Sequence, residues 1–221
     1  MSREIPSWNH DVAELRTLQA ELAGHVSLRD RFAKPLRTVA GFAAGFEEGG
    51  ATIRAAAVLL DADTREVLDQ QVARLPTAMP DLPDLRSFRE LPALLAALGM
   101  LKARPDLAVV DGHGIAHPRR LGIAAHFGVA TGLPSIGVAR DILVGEARMA
   151  LHDMRGAFTP LREQAEQIGW LLRSKVGCLP LVVSPGHEVA MASAPELVMR
   201  FVTTDRLPEP TRLAERMVSR R

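Results

Sequence analysis

The sequence predicts an α/β domain of three layers, a mixed central sheet with helices on both faces. Three observations predict it. Three strand-like runs joined by tight turns open the chain. Short apolar runs then alternate with helical patterns, and a hairpin followed by helices closes it.

The elements follow in order. Val12, Leu15, Leu18 and Leu22 recur at helical spacing, with Asp11 as a cap and Gly24 as a stop, so 11–24 reads as a helix. Residues 38–46, TVAGFAAGF, form a strand, EEGG a turn, and 51–60, ATIRAAAVLL, a second strand. Asp61 to Arg65 turn the chain into a third strand over 66–76, and such close connections predict an antiparallel meander. A proline-marked loop, PTAMPDLPDLRSFREL, comes next. Pro92 is then expected in the first turn of a helix whose apolar face is Leu94, Leu95, Leu98 and Leu101. DLAVVD (106–111) reads as a strand buried on both faces, 119–130 as a helix and SIGVAR (135–140) as another buried strand. A hairpin is expected over 166–185, with helices over 190–204 and 211–220.

The 221 residues fit one large domain, residues 1–221, with 47% hydrophobic and 24% charged residues and a net charge of +1. That balance decides nothing about nucleic acid, for which a local basic patch matters more than the total. Cys178 is the single cysteine, which excludes an intramolecular disulfide and a cysteine-based metal site. Arg3, Glu4, Asp11, Glu14 and Arg16 argue against an export signal, and no apolar run approaches the roughly 18 residues of a membrane span. The expectation is a soluble cytoplasmic protein.

The stretch LAVVDGHGIAHPRRLG concentrates chemistry that packing does not require. Asp111 ends a buried strand, and a strand-end carboxylate suits Mg²⁺ or Mn²⁺; the competing reading is an Asp-Gly turn. His113 and His117 lie four apart, but Gly112, Gly114 and Pro118 oppose a helix, which argues against zinc. The two glycines suggest close approach of backbone N–H groups to a ligand. Arg119 and Arg120 read either as a phosphate site near the next helix or as a solvated basic pair. Glu90 is a helix-start acid or a catalytic one, and Arg140 ends a buried strand where it needs a partner or an anion. In open sheets, sites collect at strand C-termini, and Asp111, Arg140 and His187 are all expected at one such edge.

Six segments add to this: AGFAAGFEEGG (40–50), MPDLPDLRSFRELPALLAA (79–97), PDLAVVDGHGIAHPRRLGIAAHFG (105–128), PSIGVAR (134–140), SPGH (184–187) and RLPEPTR (206–212). In this order and spacing they resemble the endonuclease V family over about residues 10–218. The resemblance implies a ribonuclease H-like fold. It also implies hydrolysis of the second phosphodiester bond 3′ to a deaminated base in DNA, or to inosine in RNA for some members. It makes Glu90 and Asp111 metal-binding carboxylates for Mg²⁺ or Mn²⁺. Gly112, Gly114, His117 and Ile123 would line the pocket for the flipped base, with Asp81 in the wedge loop beside it. Arg140 and His187 would face the reacting phosphate.

The departures from the family pattern are concentrated at this site. Ala43 stands where the pattern AGxDxGF carries a catalytic aspartate. The wedge Pro-Tyr-Ile-Pro-Gly is PDLPD, with Asp81 for the tyrosine and Asp84 for the glycine. Arg86 replaces an apolar pocket residue, Arg140 a lysine and Glu188 an arginine. Three readings stay open: a nuclease of this type weakened by Ala43, a non-catalytic nucleic-acid or nucleotide binder on the same scaffold, and a nuclease with a changed substrate.

Overall fold

The computed structural model describes residues 11–82 and 84–219, so the expectations for residues 1–10, Pro83 and the last two residues lie outside it. Eight strands form one sheet: β1 Thr38–Glu47, β2 Thr52–Asp61, β3 Val67–Pro76, β4 Leu107–Asp111, β5 Ser135–Ala139, β6 Phe158–Glu163, β7 Glu166–Leu172 and β8 Leu181–His187. Their spatial order is β3-β2-β1-β4-β5-β8-β7-β6. The first three make the expected antiparallel meander, with β1 paired to β2 from Thr38–Asp61 to Glu47–Thr52. β4 and β5 join as parallel strands, and β8, β7 and β6 return to antiparallel pairing. The sheet is therefore mixed, as the sequence predicts. The closing hairpin was legible as β7 and β8; β6 was not.

Five helices cover the two faces: α1 Val12–Ala23, α2 Arg86–Met100, α3 Ile123–Thr131, α4 Ser193–Arg200 and α5 Glu209–Ser219. Side chains alternate across β1, so Ala40 and Phe42 point to a core shared with α2 and α3, where Phe42 meets Phe127 at 4.6 Å between ring centroids. Val39 and Ala43 point to the opposite core, shared with α4 and α5. None of the described helices is long and apolar enough to cross a membrane.

Three expectations needed correction. α2 begins at Arg86 rather than at Pro92, so the proline lies inside the helix and Glu90 is a helical residue, not one preceding the helix. Burial of Ser87, Glu90, Leu91 and Leu94 along one face outweighs the single backbone bond that Pro92 cannot donate. α3 begins at Ile123 rather than 119, because Arg120 has a φ of 57° and Gly122 is the N-cap. In α1 the residue sealed from solvent is Gln19, while Leu18 is exposed. The Gln19 amide donates to the Asp84 and Leu121 carbonyls and accepts from Arg119, so polar docking holds this helix together with the packing of Leu22 and Ala23 on Ile115, Leu121 and Ala125.

α5 lies unusually close to β1 because Gly41 leaves room for it. A Cβ at Gly41 would sit 2.0 Å from the Pro210 carbonyl carbon and oxygen. The contact seats Thr211 and Ala214 in the core and delivers the next residue, Glu215, to the sheet edge. Gly41→Ala is expected to cost about 1–3 kcal/mol of stability, because the helix must lift off the strand. In thermal melting this would appear as a fall of roughly 3–10 °C, and an unchanged midpoint would refute the close contact.

Candidate active site

The parallel strands β1, β4 and β5 run in one direction, and at their carboxyl ends the sheet opens into a cavity of about 460 Å³. Its lining includes Asp81, Arg86, Glu90, Asp111, Gly112, His117, Ile123 and Arg140. Residues scattered over 60 positions of sequence thus converge, and most of the predicted site residues are among them.

Glu90 arrives from α2 and is 7% exposed. Burial pushes its carboxyl above the usual range, the Arg86 guanidinium opposes that shift, and Asp111 and Asp81 add to it. Arg86 lies one turn earlier on the same helix face, and its Nε donates to Glu90 Oε1 at 2.6 Å. Asp111 ends β4; burial raises its pKa, Arg140 works against the rise and Glu215 reinforces it. Arg140, just past β5, stands 4.0 Å from Asp111 and also pairs with Glu215 of α5. Arginines and carboxylates therefore alternate along the cavity floor.

Ala43 stands at the gap in this arrangement. β1 and β4 are paired up to Phe42–Val110, and the register carries Ala43 to the position beside Asp111. Its methyl group is 2% exposed and offers no ligand atom.

The rim that the resemblance implies for a base is only partly as expected. Gly112 has a φ of 136°, and a Cβ there would strike Ile123 Cγ2 at 2.4 Å, so glycine keeps the backbone and Ile123 together at the cavity wall. His117 lies at the same wall, 6% exposed. Burial, with the charge of Arg119, lowers its pKa to about 4, so the ring is neutral at pH 7. Its Nδ1 accepts the Arg119 backbone N–H, which puts the ring proton on Nε2. Gly114 is absent from the lining. The space beside it is filled by the Pro185 carbonyl, 2.0 Å from where its Cβ would be, and its N–H donates to Ser184 Oγ. That glycine serves strand packing.

His187 is also displaced from the expected cluster. It ends β8, but β8 runs antiparallel to β5 and pairs His187 with Ser135, the first residue of β5. The expected edge is at the other end, about 13 Å away at ~3.3 Å per residue. There His187 Nδ1 accepts the Ser27 N–H and its Nε2 faces Glu188 at 3.9 Å. Arg119 and Arg120, read as a phosphate site or a basic pair, are not in the cavity lining. Arg119 pairs with Asp84, and Arg120 with Glu163 and Glu166, so carboxylates already hold both.

Asp81 lies on the cavity rim with its side chain 68% exposed, while Asp84 is tied to Arg16, Arg119 and the Gln19 amide. Sequence reasoning missed Glu215, although a signal existed: it follows Ala214 on the helix that the RLPEPTR segment begins.

Comparison with known proteins agrees with the fold. The Endonuclease V family model matches residues 20–216. Endonuclease V of Azotobacter vinelandii is 59% identical over 215 residues, covering 97% of this chain and 96% of that protein. The crystal structure of the Streptomyces avermitilis Endonuclease V superposes with a TM-score of 0.89 at 38% identity, covering 97% of this chain and 94% of that one. A Ciona intestinalis Endonuclease V, solved with a 24mer DNA containing an inosine followed by a ribo-adenosine, shares the fold with a TM-score of 0.79 at 23% identity, covering 94% and 95%. The three-layer sheet is thus ribonuclease H-like.

Beneath the site, His126 of α3 bonds Ser87 Oγ of α2 at 3.1 Å, and burial lowers its pKa to about 4. The unfolded chain takes up this proton first, near pH 6.5, so the contribution to stability is intact above that pH and drains away as pH falls toward 4. The slope for one such histidine reaches about 1.4 kcal/mol per pH unit. Melting temperatures measured from pH 7.5 to 4.5 should therefore fall, and His126→Gln should flatten the fall. A slope untouched by the substitution would mean that His126 titrates normally.

Proposed function

Because the chain belongs to the endonuclease V family, a family of nucleases, we propose that it acts on DNA containing a deaminated purine, deoxyinosine above all, and cuts the backbone on the 3′ side of that base. One observation carries the reading: a cavity large enough for an extruded base adjoins a buried carboxylate, Glu90, and a half-buried one, Asp111. The protonated His117 Nε2 and the backbone beside Gly112 would present donors to the acceptor edge of hypoxanthine, while Ile123 would supply an apolar wall. Inosine-containing DNA is the ligand of the Ciona intestinalis protein; for this chain the choice of base rests on the cavity and on the family pattern around it. RNA containing inosine is the corresponding second substrate, and a soluble cytoplasmic protein is the setting.

The residues suit a divalent cation of the hard, oxygen-seeking kind. Glu90 already holds one positive charge, the Arg86 guanidinium, so the spot accommodates a cation. Among the described residues no group of three or more His, Cys, Asp or Glu side chains could hold a metal. Mg²⁺ or Mn²⁺ would thus be held by Glu90 and Asp111 and complete its shell with water and phosphate, as Mg²⁺ commonly does. Bound there, the ion would supply Lewis-acid stabilisation of charge on the phosphate. Arg140, its side chain 39% exposed, would face the same phosphate with a fixed positive charge. His187 has no part in this reading, because it ends β8 at the far edge.

Ala43 favours a second reading, in which the chain binds the same nucleic acid without cutting it. A nicking assay on a deoxyinosine duplex with Mg²⁺ and then Mn²⁺ separates the two. Ala43→Asp is expected to raise the rate by on the order of 10³-fold, the scale of several kcal/mol of transition-state stabilisation. Cutting by the unmodified chain, lost on Asp111→Ala, supports a weakened nuclease. Cutting only by Ala43→Asp supports the binder, and cutting by neither removes the substrate assignment.

A further inference from the structure

Arg86 takes a place at the site that its sequence position alone does not explain. A guanidinium lining a base pocket would ordinarily face the base or a phosphate. Here its Nε is spent on Glu90 at 2.6 Å, a charge-assisted bond to a carboxylate that is almost wholly buried. The partner acids are matched in the same way. Asp111 and Glu215 share Arg140, so three carboxylates face two guanidiniums and the cluster keeps one net negative charge.

We propose that Arg86 is the built-in counter-cation of this cluster, and that the site holds a divalent ion only when Arg86 leaves Glu90. The inference rests on the reading of Glu90 as an ion-holding carboxylate. Three features make the exchange feasible. Arg86 is tethered to the helix by a flexible side chain that is 54% exposed, so it can leave without disturbing the backbone. An alternative contact lies on the rim: its guanidinium sits 5.5 Å from the Phe46 ring, which it shares with Arg89 at 4.1 Å, and the exposed Asp81, 3.9 Å from Arg89, offers a carboxylate there. Glu90, by contrast, is fixed in α2 and cannot follow, so an incoming ion and Arg86 compete for one oxygen pair. With Arg86 seated, a divalent ion meets one net negative charge; with Arg86 withdrawn, it meets two.

The consequence is a metal site whose affinity is set by a side chain that binds no metal. Mn²⁺ binding by the full chain, without nucleic acid, reads it directly through loss of the electron paramagnetic resonance signal of free aqueous Mn²⁺. Arg86→Leu is expected to bind Mn²⁺ at least about tenfold more tightly than the unmodified chain, equivalent to about 1.4 kcal/mol. Arg16→Leu removes an equal charge beside Asp84 and should leave the affinity within about twofold. Adding Glu90→Gln to Arg86→Leu should abolish the gain. Circular dichroism checks folding, and Arg86→Gln replaces the leucine variant if that one does not fold. Equal Mn²⁺ affinity with and without Arg86 overturns this inference alone. So does a gain that survives Glu90→Gln or that Arg16→Leu reproduces. Absence of Mn²⁺ binding in every variant overturns it together with the ion-holding role of Glu90.

Discussion

Placing a buried acid, Glu90, near a half-buried one, Asp111, is the constraint around which this molecule is arranged. Glu90 and Asp111 lose most of their hydration, and each charge would be costly without a compensating partner. The fold meets that cost with arginines from two different elements, Arg86 one helical turn away on α2 and Arg140 just past β5. A neutral floor of apolar residues would have been simpler to fold. The presence of paired charges at the open end of an otherwise apolar sheet therefore marks a place kept for chemistry.

Topology decides which residues can take part. β1, β4 and β5 are parallel, so their carboxyl ends share one edge, and connections leaving that edge carry Asp111, Gly112 and Arg140 to the cavity. Glu90 and Glu215 come from opposite faces of the sheet, α2 from one and α5 from the other. The second arrival depends on an absence: without a side chain at Gly41, Pro210 can rest on the strand, and α5 reaches far enough down to set Glu215 beside Arg140. Precision at the floor of the cavity is thus set in the core some residues away.

Much of this was legible in the sequence, for reasons that also explain the misses. Runs of apolar residues and turn signals are local, so the meander, β4, β5 and the acid at the end of β4 could be read directly. Direction is not local. Strand, glycine and histidine at 181–187 look like strand, aspartate and glycine at 107–112, but only the pairing partner tells that β8 runs the other way and takes His187 to the far edge. Gly112 and Gly114 are equally alike in sequence, yet one gives onto the cavity and the other onto the Pro185 carbonyl. Arg119 and Arg120 resemble a phosphate site until Asp84, Glu163 and Glu166 arrive from distant segments to pair with them. Gln19 was hidden for the same reason, since its three partners lie 65 to 102 residues away.

The departures from the family pattern gain meaning from this charge arrangement. Ala43 removes a negative charge from the strand beside Asp111, and Arg86 adds a positive one against Glu90. Both changes lower the negative field in which a divalent ion would sit, so each makes the other easier to accommodate. A further carboxylate beside Asp111 with no added cation would deepen the repulsion that, together with the larger effect of burial, already raises the pKa of Glu90 and Asp111. Taken together they give an acid cluster that largely carries its own counter-charge. The cavity wall of Gly112, His117 and Ile123 rests on backbone and side-chain contacts outside the charged cluster, whereas Arg140 is held by Asp111 and Glu215. Under the proposed function, base recognition and ion binding are therefore separable properties of one cavity, and a sequence can alter the second while leaving the wall that serves the first in place.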